Sequence, residues 1–138
     1  MNTKNIKILL LISNAILPLI FGLGIYVFMK SGTYINSFLN LDFSYVPKTI
    51  LGFFVVNWFC DFLWSYSLVF TLYLVLYPFK NRLVFSCLIS AFSGFILEIL
   101  QGISILSGTF DWWDIVIELV AVFLASLFLN KVKQKDGS

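Results

Sequence analysis

Hydrophobic residues run along this chain in long blocks that short polar stretches separate. A block of about 20 apolar residues is long enough for a helix to cross a bilayer. We therefore predict membrane spans over residues 6–29, 62–78, 83–106 and 113–129. Residues 30–48 contain Ser, Gly, Asn, Asp and Pro, and this composition predicts a loop.

The stretch before the second span has an ambiguous pattern. Residues 49–60 are apolar but too short to cross a bilayer alone, and the polar Asn57 and Asp61 interrupt the hydrophobic run. We predict an interfacial or re-entrant helix over residues 49–60. The alternative is a single long tilted helix over residues 50–77, which would carry Asp61 inside the membrane.

Composition places the chain among integral membrane proteins. Only 12% of its 138 residues are charged and 60% are hydrophobic, whereas soluble domains average about 25% charged residues. The predicted fold is an all-α membrane protein: one domain over residues 1–138, a four-transmembrane-helix bundle with the additional interfacial or re-entrant helix before the second span. The absence of histidine excludes imidazole acid–base chemistry and imidazole metal ligands.

Charged residues are distributed unevenly between the two predicted faces of the membrane. Lys30 and Lys48 lie on one side, and the other seven of the nine basic residues lie on the opposite side. Because basic residues are enriched on the cytoplasmic side, both termini are predicted to be cytoplasmic. Six of the seven acidic residues then lie toward the outer side, and only Asp136 lies inside. The basic residues assigned to the inner side are Lys4, Lys7, Lys80, Arg82, Lys131, Lys133 and Lys135.

Polar residues form one stripe on the third span and another on the fourth. Helical periodicity of about 100° per residue places the members of each stripe on one face, so the two stripes are predicted to face each other. Small residues and serines at such a face are typical of close helix packing in lipid, but packing requires no carboxylate. The stripes are Ser86, Cys87, Ser90, Ala91, Ser93, Gly94, Glu98 and Gln101, and Asp111, Asp114, Glu118, Ala121 and Ala125.

The acidic side chains admit structural and chemical interpretations. Asp111 could cap the fourth helix, and the helix dipole favours Asp114 in the first turn, but Glu118 lies too deep for either role. Apart from Lys7 at the start of the first span, the predicted spans contain no lysine or arginine. Either some acids are protonated at neutral pH, or together they hold a cation. Glu98, Asp111 and Asp114 are candidate metal ligands, and oxygen ligands favour magnesium, calcium or manganese.

All four tryptophans are predicted to lie near the outer interface. An aromatic belt explains such a position, and stacking against a ligand is the alternative. Together with the acids, Trp64 completes a predicted outward-facing acidic pocket. The ligand-binding residues predicted for this pocket are Asp61, Trp64, Glu98, Gln101, Asp111, Asp114 and Glu118. No catalytic residue is predicted.

The polar stripes carry a recognisable motif. Glu98-x-x-Gln101 in a transmembrane helix, then a short loop, then Asp111-x-x-Asp114 at the start of the next helix resembles the signature of VanZ-like membrane proteins. The match covers about a quarter of the chain. The resemblance implies a compact multi-span protein of the bacterial envelope, in the cytoplasmic membrane. The named member of that family is linked to resistance to teicoplanin, a glycopeptide antibiotic that acts on cell-wall precursors.

The chain departs from the family pattern at several positions. Gly108 stands where the family has a loop arginine, Glu118 where it has an asparagine and Ala121 where it has a glycine. Asp61 and Trp64 are similar to residues at the head of the second span in small members of the family. The acids are therefore retained and the basic partner is absent, so the cluster is more negative than the family pattern.

The leading functional hypothesis is a binding protein of the bacterial envelope with an accessory or antibiotic-resistance role. Its expected partners are membrane lipids, a lipid-linked precursor or a glycopeptide-type ligand, and a second copy or another membrane protein; no nucleic acid is expected. One alternative is a metal-dependent membrane enzyme acting on a lipid-linked phosphate or glycan. Another alternative is an assembly subunit of a larger membrane complex.

Overall fold

The computed structural model describes residues 3–29, 38, 48–106 and 110–134 of the chain. These residues form helices and contain no strand. Segments of 25, 26, 21 and 22 residues within the helices are long and apolar enough to cross a membrane. The predicted all-α chain with four potential membrane-spanning helices is therefore confirmed. The helices are α1 (Thr3–Met29), α2 (Ile50–Val75), α3 (Arg82–Gly102) and α4 (Trp112–Gln134).

The helix α2 replaces two predicted elements. The separate interfacial or re-entrant helix over residues 49–60 is not confirmed, because an α-helical turn at Ile50–Phe54 continues through a π-helical turn at Val55–Phe59 into the α-helix Cys60–Val75. The structure thus adopts the alternative, one long helix with Asp61 in its interior. Residues 76–78 of the predicted second span lie in the following turn instead.

The polar residues of α2 do not end the helix, because the helix itself accommodates them. The side-chain amide of Asn57 donates a hydrogen bond to the Phe53 carbonyl at 2.9 Å. The backbone stays in the right-handed helical region at Phe54 (φ −58°, ψ −48°) and at Cys60 (φ −60°, ψ −50°), on either side of the π-helical turn. A π-helical turn inserts one extra residue in a helical turn and is frequent at functional sites.

The remaining boundaries follow the hydrophobic pattern closely. Helix α1 contains Pro18 in its interior. Helix α3 ends at Gly102, earlier than predicted, and α4 continues beyond the predicted end at residue 129 to Gln134. The predicted loop over residues 30–48 falls almost wholly outside the residues that the structure describes.

Helix α2 is the centre of the bundle. It packs against α1, α3 and α4, and α3 also packs against α4. Helices α1 and α3 make no extensive contact with each other within the described ranges. A space between them on one side of α2 is therefore not closed by direct helix–helix packing.

A hydrophobic core joins α1, α2 and α4 at one end of the bundle. Phe70 and Val69 of α2 are completely buried there, and Leu129 of α4 is almost so. Hydrogen bonds link the helices as well, because the Tyr66 hydroxyl donates to Asn14 Oδ1 at 2.9 Å. The other core members are Leu11, Ala15, Tyr73, Val122 and Ala125.

Arg82 fixes the turn between α2 and α3 at this end. Its guanidinium carbon lies 4.0 Å from the ring centroid of Tyr73 and 4.8 Å from that of Tyr77. Both distances are within the range of a cation–π interaction. The first residue of α3 is thereby attached to the last turns of α2.

Candidate functional site

The polar stripe of α3 faces the bundle, as its spacing predicts. Ser86, Ser90, Gly94 and Glu98 recur every fourth residue, and they are the buried residues of that helix. On α4, Ala121 and Ala125 are completely buried. These small residues allow the backbones of the helices to approach closely, which is how helices pack in lipid.

Glu98 and Asp111 form a cap at the start of α4. Glu98 is only 5% exposed, and its Oε2 accepts a hydrogen bond from the Asp111 backbone N–H at 3.0 Å. Asp111 Oδ1 in turn accepts from the Trp113 N–H at 2.9 Å. Helix N-termini leave backbone N–H groups without partners inside the helix, so both carboxylates serve as acceptors for such groups. The capping interpretation of Asp111 is confirmed, and it extends to Glu98.

Glu118 has a different environment from the capping acids. Its Oε2 atom is buried and has no hydrogen-bond partner within the part of the chain that the structure describes. The carboxylate lies against Gly94, where an added Cβ would come within 2.6 Å of Glu118 Cδ. Asp61, Glu98 and Asp114 are all near enough to interact electrostatically with Glu118. Glu118 thus lies at the junction of α2, α3 and α4 with one carboxylate oxygen that accepts no hydrogen bond from the described residues.

A groove of about 610 Å³ runs along α2 between α1 and α3. All four helices contribute to it, and Glu118 is the residue from α4. Its surface combines apolar side chains, hydroxyl groups, two aromatic rings and two carboxylates. The lining residues are Leu19, Tyr26, Cys60, Asp61, Trp64, Ser65, Ser67, Leu68, Thr71, Ser93, Gly94, Leu97 and Glu118.

The structure divides the predicted acidic pocket into two parts. Asp61, Trp64 and Glu118 line the groove together. The other predicted members lie outside its lining, although Glu98 and Asp114 still act electrostatically on Glu118. The members outside the lining are Glu98, Gln101, Asp111 and Asp114. Gln101 lies half-buried near the end of α3, where its carbonyl accepts a hydrogen bond from Ser104.

The predicted metal site is not assembled. Among the residues with described positions, no group of three or more Cys, Asp or Glu side chains is arranged to hold a metal ion. Glu98 Oε2 and Asp111 Oδ1 instead accept backbone hydrogen bonds. Glu98, Asp111 and Asp114 are therefore not arranged as a metal site in this structure.

The tryptophans separate into two groups. The rings of Trp58 and Trp113 lie with their centroids 6.3 Å apart, near the starts of α2 and α4. Trp112 and Trp113 are 69% and 61% exposed. These positions fit an aromatic belt. Trp64 is different because it lines the groove, with its indole beside Gly22 of α1.

Sequence reasoning missed the part of the groove that α1 provides. Leu19 and Tyr26 belong to a helix whose sequence looks like a simple membrane anchor. Three hydroxyl residues of α2 were also overlooked, although polar groups within a hydrophobic span are themselves a signal of a site or of interhelical contact. Those residues are Ser65, Ser67 and Thr71.

Comparison with known proteins adds no assignment, because no protein-family model, curated protein or solved structure matches this chain.

Proposed function

We propose that this chain is a multi-pass protein of the bacterial cytoplasmic membrane, VanZ-like in kind, that binds an envelope precursor or an antimicrobial in the groove along α2. The observation that carries the proposal is the groove itself, which brings Asp61 and Glu118 together within helices long enough to span a membrane. Carboxylates within membrane spans are costly, and they commonly mark functional sites.

The size and surface of the groove support a binding role. Its volume of about 610 Å³ falls in the range of roughly 300–1,000 Å³ that is common for small-molecule sites. Such sites combine an apolar surface with a few polar groups that fix orientation. Leu19, Leu68 and Leu97 provide apolar surface here, and Asp61 and Glu118 provide polar groups.

No lysine or arginine is among the described residues that line the groove. There is no lysine or arginine between Lys48 and Lys80, nor between Arg82 and Lys131. Retaining carboxylates there favours a role in recognition over a purely structural one, since a packing surface needs none.

The proposed orientation places the groove toward the outer leaflet. Both termini and the α2–α3 turn are cytoplasmic in this proposal, because basic residues concentrate there. Glu118 then lies about 9 Å along α4 from its outer end, at a rise of about 1.5 Å per residue. A ligand on the outer side of the membrane would therefore meet the groove before it reached the cytoplasmic half.

The contact between α3 and α4 supports the family proposal. The VanZ-like motif has one half in each of two consecutive helices. The hydrogen bond from the Asp111 N–H to Glu98 joins those halves in this structure. Glu98 and Asp111, the first acids of the two halves, are therefore linked physically, because their hydrogen bond holds the end of α3 against the start of α4.

Susceptibility to a glycopeptide antibiotic tests the proposed function, in a bacterial strain whose resistance depends on this protein. The double variant Asp61→Asn with Glu118→Gln removes both groove carboxylates while keeping their shapes. We expect resistance to fall to the level of the deletion strain. The matched control is Asp111→Asn, which alters an acid outside the groove lining and should retain resistance. Unchanged susceptibility in the double variant, with the protein present at its normal level in the membrane, would contradict the proposal.

A further inference from the structure

We propose that the groove binds a membrane-dissolved amphiphile with an ammonium head, which enters sideways from the bilayer between α1 and α3. This inference rests on the proposed function, since it uses the same groove. It adds two properties, the route of entry and the chemistry of the head group.

The arrangement of the helices leaves the groove open to the side. Helices α1 and α3 both border it, yet they make no extensive contact with each other within the described ranges. Trp64 and Leu97, which line the groove, remain 44% and 47% exposed. At the depth of a membrane span, such exposed surface meets acyl chains instead of water. A ligand can therefore enter from the bilayer without first crossing an aqueous mouth.

Three of the five hydroxyl side chains that line the groove already donate their hydrogen to a backbone carbonyl. The Ser67 hydroxyl donates to the Ala15 carbonyl. Thr71 Oγ1 donates to the Ser67 carbonyl at 3.0 Å, and Ser93 Oγ donates to the Ser90 carbonyl at 2.8 Å. A hydroxyl has one hydrogen to donate, so these three groups retain only lone pairs for a ligand.

The complementary head group is a hydrogen-bond donor. Glu118 lines the groove with a carboxylate whose Oε2 finds no hydrogen-bond partner among the residues with described positions, and Asp61 adds a second carboxylate to the same lining. An ammonium group offers three donors and a positive charge, whereas a fatty-acid carboxylate would add a third acid to this surface. The lining of the groove therefore selects cationic amphiphiles over neutral or anionic ones.

Aromatic residues at the groove favour the same head group. The rings of Trp64 and Tyr26 line it, and tryptophan and tyrosine are the side chains that recognise ammonium ligands through cation–π interactions. The leucines of the lining offer a complementary surface to an alkyl chain. These features together match a single long-chain amine better than a soluble cation, which would gain nothing from the apolar part of the groove.

Quenching of Trp64 fluorescence by brominated amphiphiles tests the inference. The full-length chain, with Trp58→Phe, Trp112→Phe and Trp113→Phe, is placed in phosphatidylcholine vesicles, so that the remaining tryptophan reports on the groove. The probes are dibromo-octadecylamine, the corresponding dibromo alcohol and the corresponding dibromo fatty acid. We expect the amine to quench saturably at a mole fraction about tenfold lower than the alcohol, and the acid to quench least.

Two comparisons isolate the carboxylates and the groove. Replacing Glu118 with Gln, alone and together with Asp61→Asn, should raise the mole fraction at which the amine quenches to that of the alcohol. The single isosteric variant keeps the test valid if the double variant does not fold. A protein that retains only Trp113, which lies outside the groove lining, should be quenched to the same extent by all three probes.

The outcomes separate this inference from the proposed function. Equal, saturable quenching by all three probes would show an occupied groove without charge selection, which overturns the inference and leaves the proposed function standing. Quenching no greater than that of bulk lipid for every probe, with the protein monomeric on size-exclusion chromatography, would contradict both. If none of the three probes quenches Trp64 and size-exclusion chromatography shows a stable complex with another chain, a transmembrane helix of that chain occupies the groove. The inference is then wrong.

Discussion

The carboxylate of Glu118 on α4 occupies the space that a side chain at Gly94 on α3 would fill. The absence of a side chain at Gly94 therefore allows Glu118 to reach the groove along α2, to which α4 contributes no other lining residue. A small residue at a close helix contact and an acid within a span are usually explained separately. In this structure the two depend on each other, because the Glu118 carboxylate fits only where residue 94 has no side chain.

Replacing Gly94 with Ala should destabilise the protein. The new Cβ would lie within 2.6 Å of Glu118 Cδ, so the carboxylate must move or the helices must separate. Overpacking of this kind costs about 1–3 kcal/mol. The measurement is the free energy of unfolding in mixed micelles, and Gly94→Ala combined with Glu118→Ala should recover much of the loss because the clash is removed.

The control for that experiment is Gly24→Ala in α1. A Cβ at Gly24 would meet nothing within 4 Å, and alanine is favoured over glycine inside a helix by about 0.5–1 kcal/mol. Gly24→Ala should therefore leave stability unchanged or raise it. Equal losses at Gly24 and Gly94 would show that the Glu118 contact does not determine the result.

Substitutions of the capping acids Glu98 and Asp111 should lower stability only where they remove the oxygen that accepts the backbone hydrogen bond. Glu98→Gln keeps an oxygen that can accept from the Asp111 N–H, so its cost should be small. Glu98→Leu leaves that partly buried N–H without its acceptor, which costs about 1–3 kcal/mol. Asp111→Ala removes the acceptor for Trp113 and should cost about 0.5–2 kcal/mol.

Amide hydrogen exchange checks the capping mechanism directly. Glu98→Leu should reduce protection of the Asp111 amide, and Asp111→Ala should reduce protection of the Trp113 amide, while the middle of α4 is less affected. Loss of protection throughout α4, or none at either amide, would contradict a local capping role.

Arg82 should contribute to stability more than its neighbour Lys80. The Arg82 guanidinium contacts the rings of Tyr73 and Tyr77, and a cation–π interaction contributes about 0.5–2 kcal/mol. Arg82→Gln should therefore lower the unfolding free energy by about that amount. The control is Lys80→Gln, which removes the same charge from the same turn at an exposed position. Equal effects of the two substitutions on unfolding would exclude the ring contacts as the cause.

Ser104→Gly should stabilise the end of α3. Ser104 has φ 60°, in the left-handed region that glycine adopts without a Cβ penalty. The Ser104 N–H donates to the Gln101 carbonyl, and the Ile105 N–H donates to the Leu100 carbonyl. These two hydrogen bonds form the Schellman motif, in which glycine is usual at the position of Ser104. The expected gain is about 1 kcal/mol in unfolding free energy. Ser104→Ala is the control and should give no gain, because alanine retains the Cβ.

The sequence by itself determined the four helices and the inward faces of α3 and α4. Hydrophobic length and the cost of exposing backbone polar groups to lipid allow few structures other than spanning helices. The fourfold spacing of Ser86, Ser90, Gly94 and Glu98 likewise predicted their burial, because residues four apart share one helical face. These properties depend on local periodicity, which can be counted along the chain.

Tertiary structure alone decided which acids share a surface. Glu98, Asp111 and Glu118 are all acids on the predicted polar stripes of α3 and α4. The first two accept backbone hydrogen bonds at the α4 cap, whereas the third lines the groove. The packing of α2 against three helices made that division, and it also brought α1 to the site. The continuity of α2 through Asn57 has a local cause instead, since the Asn57 side-chain amide donates to the Phe53 carbonyl within the helix. Contacts between distant segments depend on helix positions in three dimensions, which the periodicity of one helix does not encode.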